Sequence, residues 1–242
     1  RRQRQMCIRD RGNLTTALTW NCQITPKLSG SFTGAYSRNI SMYDYVEGSR
    51  FFSDGEQTSM TGMERSNHST IDDMGYRMEF DYRPGTNHHI RFGSNYLHHI
   101  YHPQNTASKN QTDRDTLSAE SASSYKGNEV AFYAEDEMRL SSKAKLNTGL
   151  HYTLYQTDGK IYHSLEPRLA MSYQCSEKAT MKVSYTEMSQ FAHQLSNTYL
   201  NLPTDSWVPS TRKVRPMRSR QVAAGIYTEL PRHIRLNVEG YY

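Results

Sequence analysis

The sequence predicts an all-β protein, an antiparallel up-and-down transmembrane β-barrel segment of about ten strands that forms an open, partial barrel. The first observation is an alternation of apolar and polar residues with a period of two. The second is an alternation of short and long connections between the predicted strands. The third is composition: the chain is polar, yet 18 of its 242 residues are tyrosine, which argues against disorder. Helical spans are excluded because no stretch approaches the ~20 apolar residues they need.

The clearest strand pattern lies between residues 69 and 82. Met74, Tyr76 and Met78 alternate with charged residues such as Arg77 and Glu79. Successive side chains of a strand point to opposite faces, so this segment has one apolar and one charged face. The same pattern predicts ten strands, at residues 13–24, 28–42, 69–82, 88–102, 125–141, 145–155, 162–174, 180–190, 217–229 and 233–242.

One strand breaks the pattern. The apolar set of residues 125–141 includes Asp136, and a carboxylate facing lipid is costly. Either Asp136 lies at the membrane interface or a β-bulge shifts the phase of the strand.

The lengths of the connections predict which end of the strands faces the periplasm and which faces the cell exterior. Short ones lie near residues 25–27, 83–87, 142–144, 175–179 and 230–232, and long ones near 43–68, 103–124, 156–161 and 191–216. Barrels of the bacterial outer membrane have tight turns on the periplasmic rim and long loops outside. The pattern therefore predicts that the long connections face the cell exterior.

The basic character of the chain is confined to its first eleven residues. The formal net charge is +5, but residues 1–11 hold five arginines against one aspartate, so the other 231 residues carry only +1. This run resembles the translation of sequencing-adapter DNA. We expect residues 1–11 to be a non-native leader, or else a basic disordered tail, and residues 12–242 to be one partial barrel domain. The net charge gives no reason to expect a nucleic-acid partner.

Metal and catalytic sites are not predicted. Cys7, Cys22 and Cys175 have neither zinc nor disulfide spacing. Neighbouring histidines, such as His98 and His99, point to opposite faces of a strand and cannot easily chelate one ion. No phosphate-binding loop or nucleophile elbow is present. The sequence therefore predicts no cofactor and no enzymatic activity.

Two segments carry a resemblance to a known family. The first is LEPRLAMSYQ, with Glu166, Pro167 and Arg168, and the second is residues 202–230, LPTDSWVPSTRKVRPMRSRQVAAGIYTEL. Together they resemble the barrel of TonB-dependent outer-membrane receptors, a likeness that covers residues 12–242. In the second segment the matching positions are Leu202, Pro203, Thr204, Asp205, Trp207, Val208, Pro209, Lys213, Pro216, Ser219 and Gln221.

The resemblance implies a function. Such receptors sit among outer-membrane lipid, bind a scarce extracellular solute (an iron chelate, haem, cobalamin or a glycan), and import it with energy from the TonB complex. Their barrels have about twenty-two strands, and the plug that contacts TonB would lie outside this chain. Two alternatives stay open. One is another large barrel, either a passive channel or an adhesion or translocation barrel, and the other is a soluble β-sandwich or a barrel hydrolase.

Two groups of site residues follow. The first is predicted to face the lumen and to contact the plug or the solute, although simple charge pairing along a polar wall is the alternative: Glu166, Arg168, Arg77, Glu79, Arg91 and Glu135. The second lies in or beside the last long loop, where an aromatic side chain could stack on a ligand or pack against a neighbouring loop: Trp207, Tyr199, His193 and Phe191.

Overall fold

The chain folds almost entirely into β-strands. The computed structural model describes residues 2–53, 56–112, 116–195, 206–231 and 234–242, and none of these lies in a helix that could span a membrane. The strands are, in chain order, β1 (Arg2–Thr25), β2 (Leu28–Ser53), β3 (Glu56–Tyr82), β4 (His88–Thr112), β5 (Thr116–Ala122), β6 (Tyr125–Arg139), β7 (Ala144–Thr157), β8 (Lys160–Ser176), β9 (Ala179–Gln190), β10 (Ala192–Leu195), β11 (Ser206–Pro209), β12 (Met217–Leu230) and β13 (Ile234–Tyr241).

Ten of these strands form one antiparallel meander. Their order is β1-β2-β3-β4-β6-β7-β8-β9-β12-β13, with β5 paired to the outer part of β4, while β10 and β11 form a separate hairpin. Each of the ten corresponds to one predicted strand. Eight contain it entirely, whereas the predictions for β6 and β13 run one or two residues too far. The predicted fold class, an open sheet of a partial barrel, is confirmed.

Two predicted long loops are wrong in detail, because their residues extend the strands. Residues 43–68 continue the β2–β3 ladder, from the cross-strand pair of Tyr43 with Asn67 out to the pair of Ser53 with Glu56. Residues 103–124 likewise contain the outer part of β4 and its partner β5. Backbone pairing stabilises a hairpin arm in water without an apolar face. The period-two pattern therefore fades there although the strand does not end.

The connection between β7 and β8 is also shorter than predicted. Residues 156–161 were expected to be a long loop, yet only Asp158 and Gly159 lie between the two strands. Both have positive φ, 44° and 66°. A two-residue hairpin of this kind matches the twist of the flanking strands, and Asp-Gly adopts it readily. Short and long connections therefore do not alternate strictly.

The beginning of β1 includes the run that was expected to be a leader. Residues 2–11 pair with residues 41–50 of β2. That these residues are not native to the protein stays a prediction.

Asp136 lies in a regular part of β6. Its ladders with β4 and β7 pass through Asp136 without a register shift, so the bulge alternative is wrong. Asp136 stays on the face of Phe132, and its Oδ2 lies 2.7 Å from His88 Nδ1, near the tight turn. His88 and the position near the strand end accommodate Oδ2, whereas Oδ1 is buried without a hydrogen-bond partner.

The two faces of the sheet differ in composition. One, which we call the apolar face, leaves large side chains exposed, among them Phe132, Leu150, Leu165, Leu169, Met171, Val183, Val222 and Ile226. The other, which we call the polar face, buries Thr153, Ser164 and Glu166 instead. This is the reverse of a water-soluble sandwich, whose apolar face would be covered.

Candidate functional site

Aromatic rings line the apolar face close to the tight turns. Trp20, Phe32, Phe80 and Phe92 follow one another across β1 to β4, with centroid distances of 5.5, 5.8 and 5.2 Å. Sequence reasoning missed this row, because the rings become neighbours only through the strand register. Aromatic girdles at the membrane boundary are a feature of barrels that cross a bilayer.

The six residues predicted to face the lumen all lie on the polar face. Arg91 NH2 is 2.7 Å from Glu135 Oε1 across the β4–β6 pair. Arg77 and Glu79 share the same face of β3, two residues apart. This arrangement fits the simple alternative of charge pairing along a polar wall. Contact with a plug or solute stays a prediction.

Glu166 occupies the point where β8 and β9 separate. From the tight turn, the β8–β9 ladder runs as far as the pair Arg168–Thr186. The next residue of β8 in that direction is Pro167, which has no N–H to donate. Beyond that point the Glu166 carboxylate takes over: Oε1 accepts hydrogen bonds from Ser164 Oγ at 2.9 Å and from the Ser189 backbone N–H at 3.1 Å. A side chain thus replaces the missing backbone pairing between the strands.

A histidine and an arginine lie near the same carboxylate. His151 Nδ1 is 3.6 Å and Arg168 NH2 is 4.0 Å from Glu166 Oε2. The Arg168 side chain is 48% exposed whereas that of Glu166 is only 7% exposed. Arg168 therefore compensates the buried charge from a distance and leaves the carboxylate room for another partner.

A second buried group lies across β3, β4 and β6. His99 Nδ1 is 2.7 Å from Asp73 Oδ1, and His99 Nε2 is 3.9 Å from Glu129 Oε2. Nε2 is buried and has no hydrogen-bond partner. His98, one residue away, bonds Asn128 on the apolar face, as alternation along a strand requires.

Tyrosine rings fill the space between these two groups. Tyr155 is fully buried, and its ring stacks on Phe191 with 4.7 Å between centroids. Tyr101 is 4% exposed. It lies beyond the apolar band of its strand. Burial is the main cause that raises the pKa of its hydroxyl, and the nearby Tyr155 and Asp73 raise it further. Tyr101 therefore stays neutral and can act as a hydrogen-bond donor.

The last long loop folds back over the polar face. Its hairpin, β10–β11, contacts β4 and β6. Ser210, fully buried after β11, donates its N–H to the Phe191 carbonyl at 2.7 Å, and its Oγ lies 2.9 Å from His193 Nε2. Tyr162 Oη donates to the Thr211 carbonyl at 2.6 Å. These contacts hold the described ends of the loop against the sheet.

The four residues predicted to bind ligand differ in position. Phe191 is buried against Tyr155. His193 and Trp207 are half-buried on β10 and β11, but His193 pairs with Val208 and Trp207 with Gln194, so the two side chains point to opposite faces of the hairpin. Tyr199 lies outside the described residues. The position of Phe191 fits the packing alternative, and a ligand role for His193 and Trp207 stays a prediction.

The two buried groups and the start of the loop line one open cavity. It has a volume of about 270 Å³, and its lining includes His99, Tyr101, Glu129, His151, Glu166 and Phe191. We call it the carboxylate cavity. The described residues contain no group of three or more His, Cys, Asp or Glu side chains placed to hold a metal ion.

Comparisons with known proteins decide the family. The family model described as "TonB dependent receptor-like, beta-barrel" matches residues 3–242. This chain belongs to the TonB-dependent receptor β-barrel family. No curated protein matches the sequence.

Several solved receptors share the fold of this TonB-dependent receptor barrel. The ferric-catecholate import receptor Fiu from E. coli K12 is 12% identical with a TM-score of 0.62, and the match covers 96% of this chain and 40% of Fiu. The siderophore receptor PiuA from Acinetobacter baumannii is 11% identical, with a TM-score of 0.57 and the same coverages. The ferric preacinetobactin receptor BauA, also from A. baumannii, is 11% identical with a TM-score of 0.56, covering 96% of this chain and 37% of BauA. The chain thus spans about two fifths of the length of these receptors.

The stack of Phe191 on Tyr155 gives a test of how the loop is held. We expect Phe191→Ala to raise the rate of chymotrypsin cleavage after Trp207 by about tenfold, since a stacked ring pair contributes about 0.5–1.5 kcal/mol beyond its buried area. Limited proteolysis of the folded receptor followed by mass spectrometry measures the rate. Phe52→Ala, at a 42% exposed position on the β2 arm, is the control. Equal rates in both variants and the wild type would show that the stack does not hold the loop.

Proposed function

We propose that this chain is part of the barrel of an outer-membrane receptor that imports an iron chelate with energy supplied by TonB. The observation that carries the proposal is the family match over residues 3–242, on a sheet whose two faces are apolar and polar. The proteins that share the fold include a ferric-catecholate import receptor and a siderophore receptor. Import moves the solute without covalent chemistry.

The position in the membrane is supported by the apolar face. Exposed Leu, Val, Ile and Phe side chains there would contact lipid, whereas the same surface in water would favour aggregation. Strands of ~9–11 residues suffice to cross the bilayer at a tilt. The arms formed by β2, β3, β4 and β5 extend far beyond that length and would project from the cell.

The class of solute is supported by the receptors with the same fold. Fiu is a receptor for a ferric catecholate, BauA for ferric preacinetobactin and PiuA for a siderophore. At 11–12% identity they share only the fold with this chain, so an iron chelate is the working hypothesis. TonB would act on the part of the receptor that lies outside this chain.

Iron uptake by cells tests the proposal. In the bacterium that carries the gene, we expect its deletion to reduce uptake of one or more radiolabelled ferric chelates during iron limitation, and to leave passive entry of small sugars unchanged. Deletion of tonB should reduce uptake of the same chelate to the same extent. Chelate uptake that persisted without TonB would contradict energised import and favour a passive channel.

A further inference from the structure

Three carboxylates but only one guanidinium lie in or beside the carboxylate cavity. Glu129 and Glu166 line it, and Asp73 lies behind His99. The one guanidinium within reach is that of Arg168, 4.0 Å from Glu166 and nearly half exposed. Carboxylates removed from water require a nearby positive charge or several hydrogen-bond donors. The described residues supply only part of this requirement for Glu129.

His99 shows where a donor is needed. Asp73 Oδ1 lies 2.7 Å from Nδ1 and accepts a hydrogen bond from it. The tautomer that carries its hydrogen on Nδ1 leaves Nε2 as an acceptor. Nε2 is buried without a partner, and it faces Glu129 Oε2 across 3.9 Å. This separation exceeds a hydrogen bond, even for a protonated ring. Two acceptors therefore face each other with a gap between them.

We propose that the carboxylate cavity binds a cationic hydrogen-bond donor of the imported solute, a guanidinium or primary ammonium group. This inference rests on the proposed function. Such a group donates several hydrogen bonds at once and can serve Glu129, His99 Nε2 and Glu166 together. The aromatic rings of Tyr101 and Phe191, which also line the cavity, favour a cation further.

The size of the cavity limits what enters it. Its volume of about 270 Å³ is slightly below the range of ~300–1,000 Å³ that holds a whole drug-sized ligand. The cavity therefore takes one functional group while the rest of the solute stays in the lumen. Phe191 and Ala192, at the start of the loop, form part of its lining, and the group would enter from the lumen, on the polar face of the sheet.

Methylguanidinium and methylurea form a matched pair of probes, alike in shape but different in charge. We expect saturation-transfer NMR on the full-length receptor in detergent to show binding of methylguanidinium and not of methylurea. In Glu129→Gln, affinity should fall at least ~10-fold, as for other buried charge pairs that lose one partner. Glu177→Gln, which alters an exposed carboxylate in the β8–β9 turn, should bind like the wild type.

A second variant covers the case in which Glu129→Gln does not fold. His99→Gln removes the unpaired imidazole nitrogen and should weaken methylguanidinium binding to a similar extent. The folding of both variants is checked by their migration on gels without boiling. Equal binding of both probes, unchanged affinity in the variants, or no methylguanidinium binding would each overturn the cationic site. Iron uptake measured in parallel separates the two proposals, because uptake can stay TonB-dependent while this site fails.

Discussion

Replacing Gly75 with alanine is expected to prevent this barrel from folding correctly. A Cβ atom at position 75 would lie 1.9 Å from the carbonyl oxygen of Tyr96 and 2.9 Å from a methyl carbon of Leu97. The carbonyl belongs to the backbone of β4, whose ladder with β3 fixes its position. The strands must separate locally to admit the methyl group, which we expect to cost at least about 3 kcal/mol.

Gly34 is the matched control for this substitution. It lies on neighbouring β2 and pairs with Tyr76, and a Cβ atom there would meet nothing within 4 Å. Gly34→Ala should therefore change the free energy of unfolding by no more than about 0.5 kcal/mol. The folded fraction of the full-length receptor is measured from gel migration before and after boiling, and stability from urea unfolding. A Gly75→Ala receptor that folds as well as Gly34→Ala would refute the close approach of β3 and β4.

The membrane part of the fold could be predicted from sequence because lipid imposes a pattern on it. Every strand that crosses a bilayer must present apolar residues on alternate positions, and all ten strands were found by that rule. The arms beyond the bilayer carry no such requirement. Residues from Tyr43 to Ser53 were therefore expected to form a loop although their backbone pairing continues. At Asp158–Gly159 the two-residue turn signal was present in the sequence and was not used.

The candidate site was only partly predictable, for a different reason. Alternation was enough to place Glu166 and Arg168 on one face, and Pro167 was a visible signal that β8 could not donate at that position. The contacts of His99 with Asp73 and Glu129 depend on the register of three strands. A single sequence does not supply that register. The same holds for the Ser189 N–H, which becomes a partner of Glu166 only because β8 and β9 separate.

Glu166→Ala is expected to weaken the wall of the barrel where those two strands separate. The substitution leaves the Ser189 N–H and the Ser164 hydroxyl without the carboxylate that accepts from both. It also leaves His151 without its anionic neighbour. Losing charged hydrogen bonds at a position only 5% exposed should lower the free energy of unfolding by about 2–4 kcal/mol. Urea unfolding of the receptor measures this change.

Two further variants separate the hydrogen bonds from the charge. Glu166→Gln keeps an oxygen that can accept from Ser189 and Ser164, so we expect it to recover about half of the lost stability. Glu177→Ala, at an exposed turn, should have an effect below about 0.5 kcal/mol. If glutamine were as destabilising as alanine, the attraction between Glu166 and the His151 and Arg168 side chains would outweigh the bridge to Ser189. If neither variant changed stability, the ladder between Arg168 and the turn, together with the bond between the Ser164 and Ser189 hydroxyls, would be enough to hold β8 and β9 together.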